Sequence, residues 1–522
     1  MLISKTDTMK NKLLYTVIIL ATLSSCRKDF LNLVPETSLS SASFYKNKGQ
    51  FDQALVAAYV PLRTIVHAGI YMDEMRSDNT FFTIYNANRG FATSTEALAE
   101  FLDNSTSSAE PNSPGNRYGN DYSGIAMVNT ILSRLETSDL SQSAKDSVSG
   151  EALFLRAFYY YDLVQHYGGV PLQLKELASA EEAFQPRNTA EEVYAQIVTD
   201  LQAAIAVLPV VTTFPQSGHA TQGAAKMLLA YTYMSQPSKD YPSAEAALKD
   251  ITNMHYSLLP NYADVFDPNN KNNAESIFEV QYKSDLVSGQ QSNFAWIFVP
   301  KTLNPQLLMG YPGGTMNIFS GWNVPTQEMV DSYESGDLRL PASIAVVEGT
   351  ISGVEDYTAI DIKSPVGFTP VPGRTNFYMV RKYYHPPYAA DFDSPDNWPV
   401  FRYSGALLLL AECLVSEHKE GEALPYLNQV RARAGLPALG AANADNVANE
   451  MRHELAFENH RWTDLVRNGT AIETLTAKGE RLKALYGWLL PTSFNVTPDK
   501  LIYPIPYREL QINTKLTQNP GY

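Results

Sequence analysis

The chain has 522 residues, room for three domains at roughly 100–200 residues each, or fewer if the architecture is an extended helical one. Hydrophobic residues make up 44% and charged residues 18%, a globular composition that excludes disorder as the dominant state. Lysine and arginine total 40 against 55 for aspartate and glutamate, a net charge of −15, which excludes a phosphate-backbone binder needing a cationic surface.

Residues 1–25 read as a lipoprotein signal peptide and lie outside the fold. Lys10 and Lys12 form a positive n-region and Leu13 to Ala21 an apolar h-region. That run is too short for a hydrocarbon core, which needs about 20 residues. Met9 is an alternative start that gives a signal of more usual length. Leu23-Ser24-Ser25-Cys26 resembles a bacterial lipobox, so Cys26 is the expected site of lipid attachment. The protein is then anchored to a membrane and not threaded through it. Arg27-Lys28-Asp29 partly resembles the charged signal that sends such lipoproteins to the cell surface.

Downstream, apolar residues at i, i+3, i+4 spacing predict helices that come in pairs. Gln50 to Val66 pairs with Tyr122 to Leu135, and Glu151 to Tyr167 with Ala190 to Leu208. Ala225 to Met234 pairs with Tyr241 to Met254, and Ser404 to Ser416 with Gly421 to Arg433. Each resembles a tetratricopeptide helix–turn–helix of about 34 residues, with irregular spacing between pairs. The expected fold is mainly α: about four divergent pairs forming a curved scaffold, with a loop-rich region carrying short strands. A division near residue 240 separates an N-terminal region (26–240) from a C-terminal one (241–522) of one intertwined fold. Residues 70–121 and 257–400 are insertions rich in Gly, Pro, Asn, Ser and aromatics, a pattern that marks functional segments when ordered. Ile277 to Tyr282 and Phe377 to Tyr384 read as strands, and the prolines after Leu501 predict a tail without helix. Cys413, in an apolar helical run, reads as a small buried hydrophobe.

Five blocks in order carry a resemblance: Cys26 to Pro35, Glu151 to Pro171, Leu427 to Pro437, Asn449 to Gly469 and Tyr503 to Tyr522. They look like the SusD/RagB family, outer-membrane glycan-binding lipoproteins of Gram-negative bacteria. The resemblance implies a tetratricopeptide-like platform with an irregular region carrying the ligand site. It also implies a SusC-like TonB-dependent transporter as partner, and an outer-membrane, lipid-anchored location facing the exterior. One departure is Arg402-Tyr403-Ser404-Gly405, where the family usually has an acidic residue before the leucine run.

Catalytic signatures are missing from the sequence: no HExxH, G-x-S-x-G, P-loop or G-x-G-x-x-G occurs. His453 and His460 are seven apart, whereas helix metal pairs favour i, i+4. Asp264, Asp267, Asn269 and Asn270 offer oxygens for a structural Ca²⁺ but lack the loop spacing, and turn chemistry explains them. No cofactor is otherwise expected. Arg452, Glu454, Glu458, Arg461 and Asp464 read as ion pairs along one helix face. Arg156, Tyr159, Tyr160 and Tyr161 read as packing residues. Sugar recognition requires aromatic rings for the C–H face and forked polar groups for the hydroxyls. The candidate ligand residues are therefore Arg76, Asp78, Asn79, Phe81, Phe82 and Tyr85 in the first insert. Trp296, Tyr311 and Trp322 complete them in the second, with Trp296 and Tyr85 expected to stack and Arg76 and Asp78 to supply polar contacts. Gly321 to Thr326 also resembles a structural turn of the family. The expected function is capture of oligo- or polysaccharide without catalysis. A peptide or other nutrient as ligand, and a surface-anchored glycoside hydrolase, are the alternatives.

Overall fold

The computed structural model describes residues 44–83, 94–106, 113–312, 320–353 and 356–522. The signal peptide and Cys26 lie outside them. Residues from Asp52 onward form one compact unit. Before it, Asn47 caps a helix start, its Oδ1 accepting from Gln50 N at 3.1 Å.

The predicted helix over Gln50 to Val66 is two helices, α1 (Lys48–Tyr59) and α2 (Pro61–Gly69), the second running on into a wide π-type turn, Ile70–Glu74. Pro61 opens α2, where its missing N–H costs nothing. α3 (Pro114–Glu136) begins eight residues before the predicted start, on a Ser113 cap and Pro114. Three glycines and three asparagines within it weaken its apolar period. α4 (Gln142–Tyr167) and α5 (Ala190–Val207) follow. Thr189 and Glu192 close a capping box at the start of α5, satisfying two orphan N–H groups reciprocally. Next come α6 (Gln222–Ser235), α7 (Tyr241–Thr252), α8 (Tyr403–Ser416) and α9 (Glu420–Arg433). The four predicted pairs pack as pairs, α2 on α3, α4 on α5, α6 on α7 and α8 on α9. Successive pairs also pack on each other, so no break falls near residue 240. Gly124 in α3 makes one close approach: a Cβ there would collide with the Tyr159 ring of α4. Cys413 is buried in α8, and burial pushes its thiol up to about 12.

The sequence between α7 and α8 carries most of the strands. β1 (Thr80–Phe81), from the first insert, pairs with β3 (Val324–Pro325), while β2 (Ser276–Val280) pairs with β7 (Trp398–Arg402). The β2–β7 ladder joins the two ends of the second insert and delivers the chain directly into α8. β4 (Ile344–Ser352) lies between β5 (Asp356–Lys363) and β6 (Thr375–Val380), all antiparallel. Ala345 and Val347, two apart on β4, point with Tyr357 and Met379 into a cluster containing Trp296, Leu308 and Tyr388, as the strand period of two requires.

Two expectations are corrected. The tail does contain a helix, Tyr507–Ile512. It starts immediately after Pro506, and proline breaks helix interiors rather than helix starts. The charged block does not pair along one helix face either. α10 (Ala444–Glu454) and α11 (Arg461–Arg467) are separate helices, interrupted where Phe457 and Asn459 take positive φ. Glu454 and Glu458 instead receive Arg402, whose guanidinium also holds Glu275 at 2.7 Å. Arg339 and Arg433 add to Glu454, and Lys382 to Glu458. Buried ions require partners from wherever the fold can bring them. Here Arg402 sits among three buried carboxylates. Asp464 does pair locally, with Arg467 at 2.7 Å. The expected packing role of Arg156 fits its two bonds to Asp200, at 2.7 and 2.8 Å.

Candidate ligand-binding site

The first insert leaves α2 through a turn whose charged side chains are bonded internally. Burial raises Glu74 to about 7, and its Oε1 accepts from Asn79 Nδ2 at 2.9 Å. Arg76 is fully buried: it donates to Asp103 at 2.7 Å and to the Leu98 and Lys500 carbonyls at 3.0 Å. Its guanidinium lies over the Phe101 and Tyr503 rings. Asp78 accepts from Arg461 and lies 3.1 Å from Arg452. Burial opposes its charge, but these two cations prevail and hold the carboxyl below the usual range. Beneath the turn, Lys478 of α12 (Ala471–Leu485) gives its ammonium to the carbonyls of Ser77 at 2.5 Å and Thr80 at 2.7 Å.

These contacts correct the reading of Arg76, Asp78, Asn79 and Phe81 as residues that face a ligand. All four are buried, and the three polar ones have their bonds made inside the protein. Their role is to fix the path of the chain into β1. Tyr85 lies outside the described residues.

The second insert meets the first at β1–β3. Thr80 Oγ1 lies 2.5 Å from Asn323 Oδ1, and Thr326 N donates to Asn79 O at 2.9 Å. Gly321 has φ +85 and lies against Thr83, whose Oγ1 would be 2.7 Å from an added Cβ. Gly321 O accepts from Thr83 N at 2.7 Å, and Gly321 N donates to Val299 O at 2.8 Å. This crossing presents Trp322 at the surface, half-buried, with its ring 5.9 Å from Tyr71 and 6.1 Å from Phe82.

The row of rings continues into a segment that sequence reasoning passed over. Phe82 lies 6.3 Å from Trp488, which lies 5.8 Å from Tyr486. Trp488 and Tyr486 are half-buried, and Leu485 and Leu490 beside them are 70% and 42% exposed. Thr83 Oγ1, Asn323 Nδ2 and Trp488 Nε1 are buried side-chain atoms without a hydrogen-bond partner. Buried polar groups left unsatisfied cost free energy. The only sequence signal was the Tyr486-Gly487-Trp488 run after a helix, near the end of the chain and remote from both inserts.

The other two aromatics lie elsewhere. Trp296 is 1% exposed, packed on Tyr388 and Phe392 beneath the three-stranded sheet. A ring covered on this scale cannot stack on a sugar, and the expectation for Trp296 is corrected to a core role. Its segment, Phe294-Ala295-Trp296-Ile297-Phe298, is a buried helix turn. Tyr311 is half-buried against the same cluster and its hydroxyl donates to Asp391. The structure thus unites Trp322 with the first insert, and Trp296 with Tyr311.

Ser394, Asp396 and His385 bring together the residue types of a hydrolytic triad. Asp396 accepts from the Ser394 hydroxyl and lies 2.6 Å from His385 Nδ1. The serine therefore faces a carboxylate rather than the imidazole, without the hydroxyl–imidazole contact of a nucleophilic triad. Asp267 spends Oδ1 on the Asn269 backbone and side-chain N–H groups at 2.8 and 3.0 Å, as a turn does. His453 Nε2 lies 2.9 Å from Ser332 Oγ. Among the described residues no group of three His, Cys, Asp or Glu is arranged for a metal.

Comparison with known proteins places this geometry in a class. A sequence model of the SusD family matches residues 274–522, and one described as starch-binding, associating with the outer membrane, matches residues 29–234. The chain belongs to the SusD family. It is 25% identical to SusD-like protein P25 of Formosa agariphila over 98% of this chain and 99% of that protein. It is 26% identical to a SusD-like protein of Bacteroides ovatus, covering 88% and 82%. Among solved structures, a laminarin-binding SusD-like protein is 27% identical with a TM-score of 0.72, over 92% of this chain and all of that one. Surface glycan-binding protein A of Bacteroides uniformis is 25% identical with a TM-score of 0.70, over 91% and 99%.

Proposed function

We propose that the chain is a surface-exposed, non-catalytic glycan-binding lipoprotein. It captures an oligo- or polysaccharide on the half-buried rings of Trp322 and Trp488, which flank the buried Phe82, and passes it to a SusC-like TonB-dependent transporter. The observation that carries this reading is the meeting of both inserts at Gly321 and Thr83, which sets the half-buried rings of Trp322 and Trp488 on either side of Phe82. A pyranose offers an apolar face to such rings. Relatives of similar fold and near-full coverage are a laminarin-binding and a glycan-binding protein by their names, which supports the ligand class. The lipobox supports attachment of lipid at Cys26 and residence at the outer membrane. Incubation with a panel of glycans, followed by analysis of both bound and released sugar, tests the proposal. Binding without release is expected. Released oligosaccharide refutes the non-catalytic role, and a panel without a binder refutes the ligand class.

A further inference from the structure

A groove lies on the helical scaffold and shares no lining residue with the ring row. It has a volume of about 390 Å³ and runs between α3, the segment 171–184 and the C-terminal helix Tyr507–Ile512. That volume is within the range of small-ligand sites, ~300–1,000 Å³.

The groove follows from a stripe on α3. Tyr118, Tyr122, Ala126 and Thr130 recur at i, i+4 and all line it, so two rings form one end and two small residues leave space at the other. The tyrosine rings lie 4.9 Å apart. Both walls are held by hydrogen bonds. Tyr122 donates to Pro171 O at 2.7 Å and Asn129 Nδ2 to Gln173 O at 2.8 Å. On the other side Asn513 Nδ2 donates to Gln185 O at 2.8 Å. Such a groove is preformed, and a ligand entering it pays little ordering entropy. Half-buried Phe184 adds a third ring. Lys175 and Glu509 stand on different walls, and neither side chain has a hydrogen-bond or ion-pair partner among the described residues.

We infer that this groove is a second carbohydrate subsite. The half-buried Tyr122 and Phe184 rings, with Lys175 and Glu509 on different walls, suit a neutral polyhydroxylated ring, which needs an apolar face, donors and acceptors but no net charge. The inference rests on the glycan reading above and deepens it. Two subsites on one chain hold a long polysaccharide more firmly than either alone, because the second contact is intramolecular.

Calorimetry of the full chain with laminarihexaose, maltohexaose and cellohexaose, each in turn, tests it. Two binding events per chain are expected with at least one of them. Ala126→Trp, at an exposed position of α3, fills the groove, removes one event and leaves the melting temperature unchanged. Thr130→Trp serves as a second filler if the first variant misfolds. Trp322→Ala removes the other event and spares the groove. Loss of all binding in Trp322→Ala, or unchanged stoichiometry in both fillers, overturns the subsite while the functional reading stands. Absence of binding by all three sugars to the unaltered chain overturns both.

Discussion

Arg461 grips Asp78 with two parallel bonds, Nε to Oδ1 at 2.7 Å and a terminal nitrogen to Oδ2 at 3.0 Å, across 383 positions of sequence. This pair, with Arg452 on the same carboxylate, ties the first insert to the C-terminal helices. Asp78→Ala leaves two largely buried guanidinium groups without it, and the expected loss is about 3–5 kcal/mol. The Asp78 carboxyl is held below its ordinary value, so its contribution is complete above that value and is lost as pH falls through the depressed one. Urea unfolding from pH 7 down to pH 2 should show a gap between wild type and Asp78→Ala that narrows in acid. A gap constant with pH would contradict the ion-pair account.

Lys478→Met removes the ammonium from beneath Ser77 and Thr80 while keeping much of the volume. The carbonyls lose a buried donor, at about 1–3 kcal/mol. Amide exchange should rise in residues 75–83 more than in α4. A uniform rise would mean that Lys478 supports the whole fold rather than this turn.

A third test separates stacking rings from core rings. Trp322→Ala and Trp488→Ala should weaken glycan binding by ~1–3 kcal/mol each, by analogy with base–aromatic stacking, with little change in melting temperature. Trp296→Ala should cost about 3–5 kcal/mol of stability. The opposite pattern in calorimetry and thermal melts would return Trp296 to the binding surface.

Asp121 and Asp162 form a buried carboxyl pair beside Arg117. Arg117 bonds Asp162 at 2.8 Å through Nε. Burial first, and then the Asp162 charge, raise Asp121 well above its usual value. An acid raised in the native state loses stability as pH climbs from its unfolded value toward the folded one. Asp121→Asn, which keeps a neutral donor, should therefore be neutral or stabilising at pH 7, whereas Asp162→Asn should destabilise. Thermal melts at pH 5 and pH 8 check the sign.

Cys26→Ala should abolish fatty-acid labelling and shift the protein out of the membrane fraction. Labelling that persists would show that Cys26 is not the acylated residue.

The sequence by itself determined the helical pairs and the family. Apolar spacing of 3.6 residues is a local property, and a strong run such as Ser404 to Ser416 leaves few alternatives. Composition also marked the two inserts as the place for recognition, and the structure does bring them together at Thr80–Phe81 and Val324–Pro325. Tertiary structure decided which side chains face outward. Trp296 and Trp322 read alike in sequence, each an aromatic in an irregular insert, yet one lies under a sheet and the other stands over a glycine turn. Arg76 and Asp78 read as free polar groups because their partners, Asp103 and Arg461, are 27 and 383 positions away. Trp488 joined the ring row through chain folding alone. Burial and long-range pairing are sums over neighbours that no local window contains, and a charge removed from water must find its partner wherever the fold supplies one.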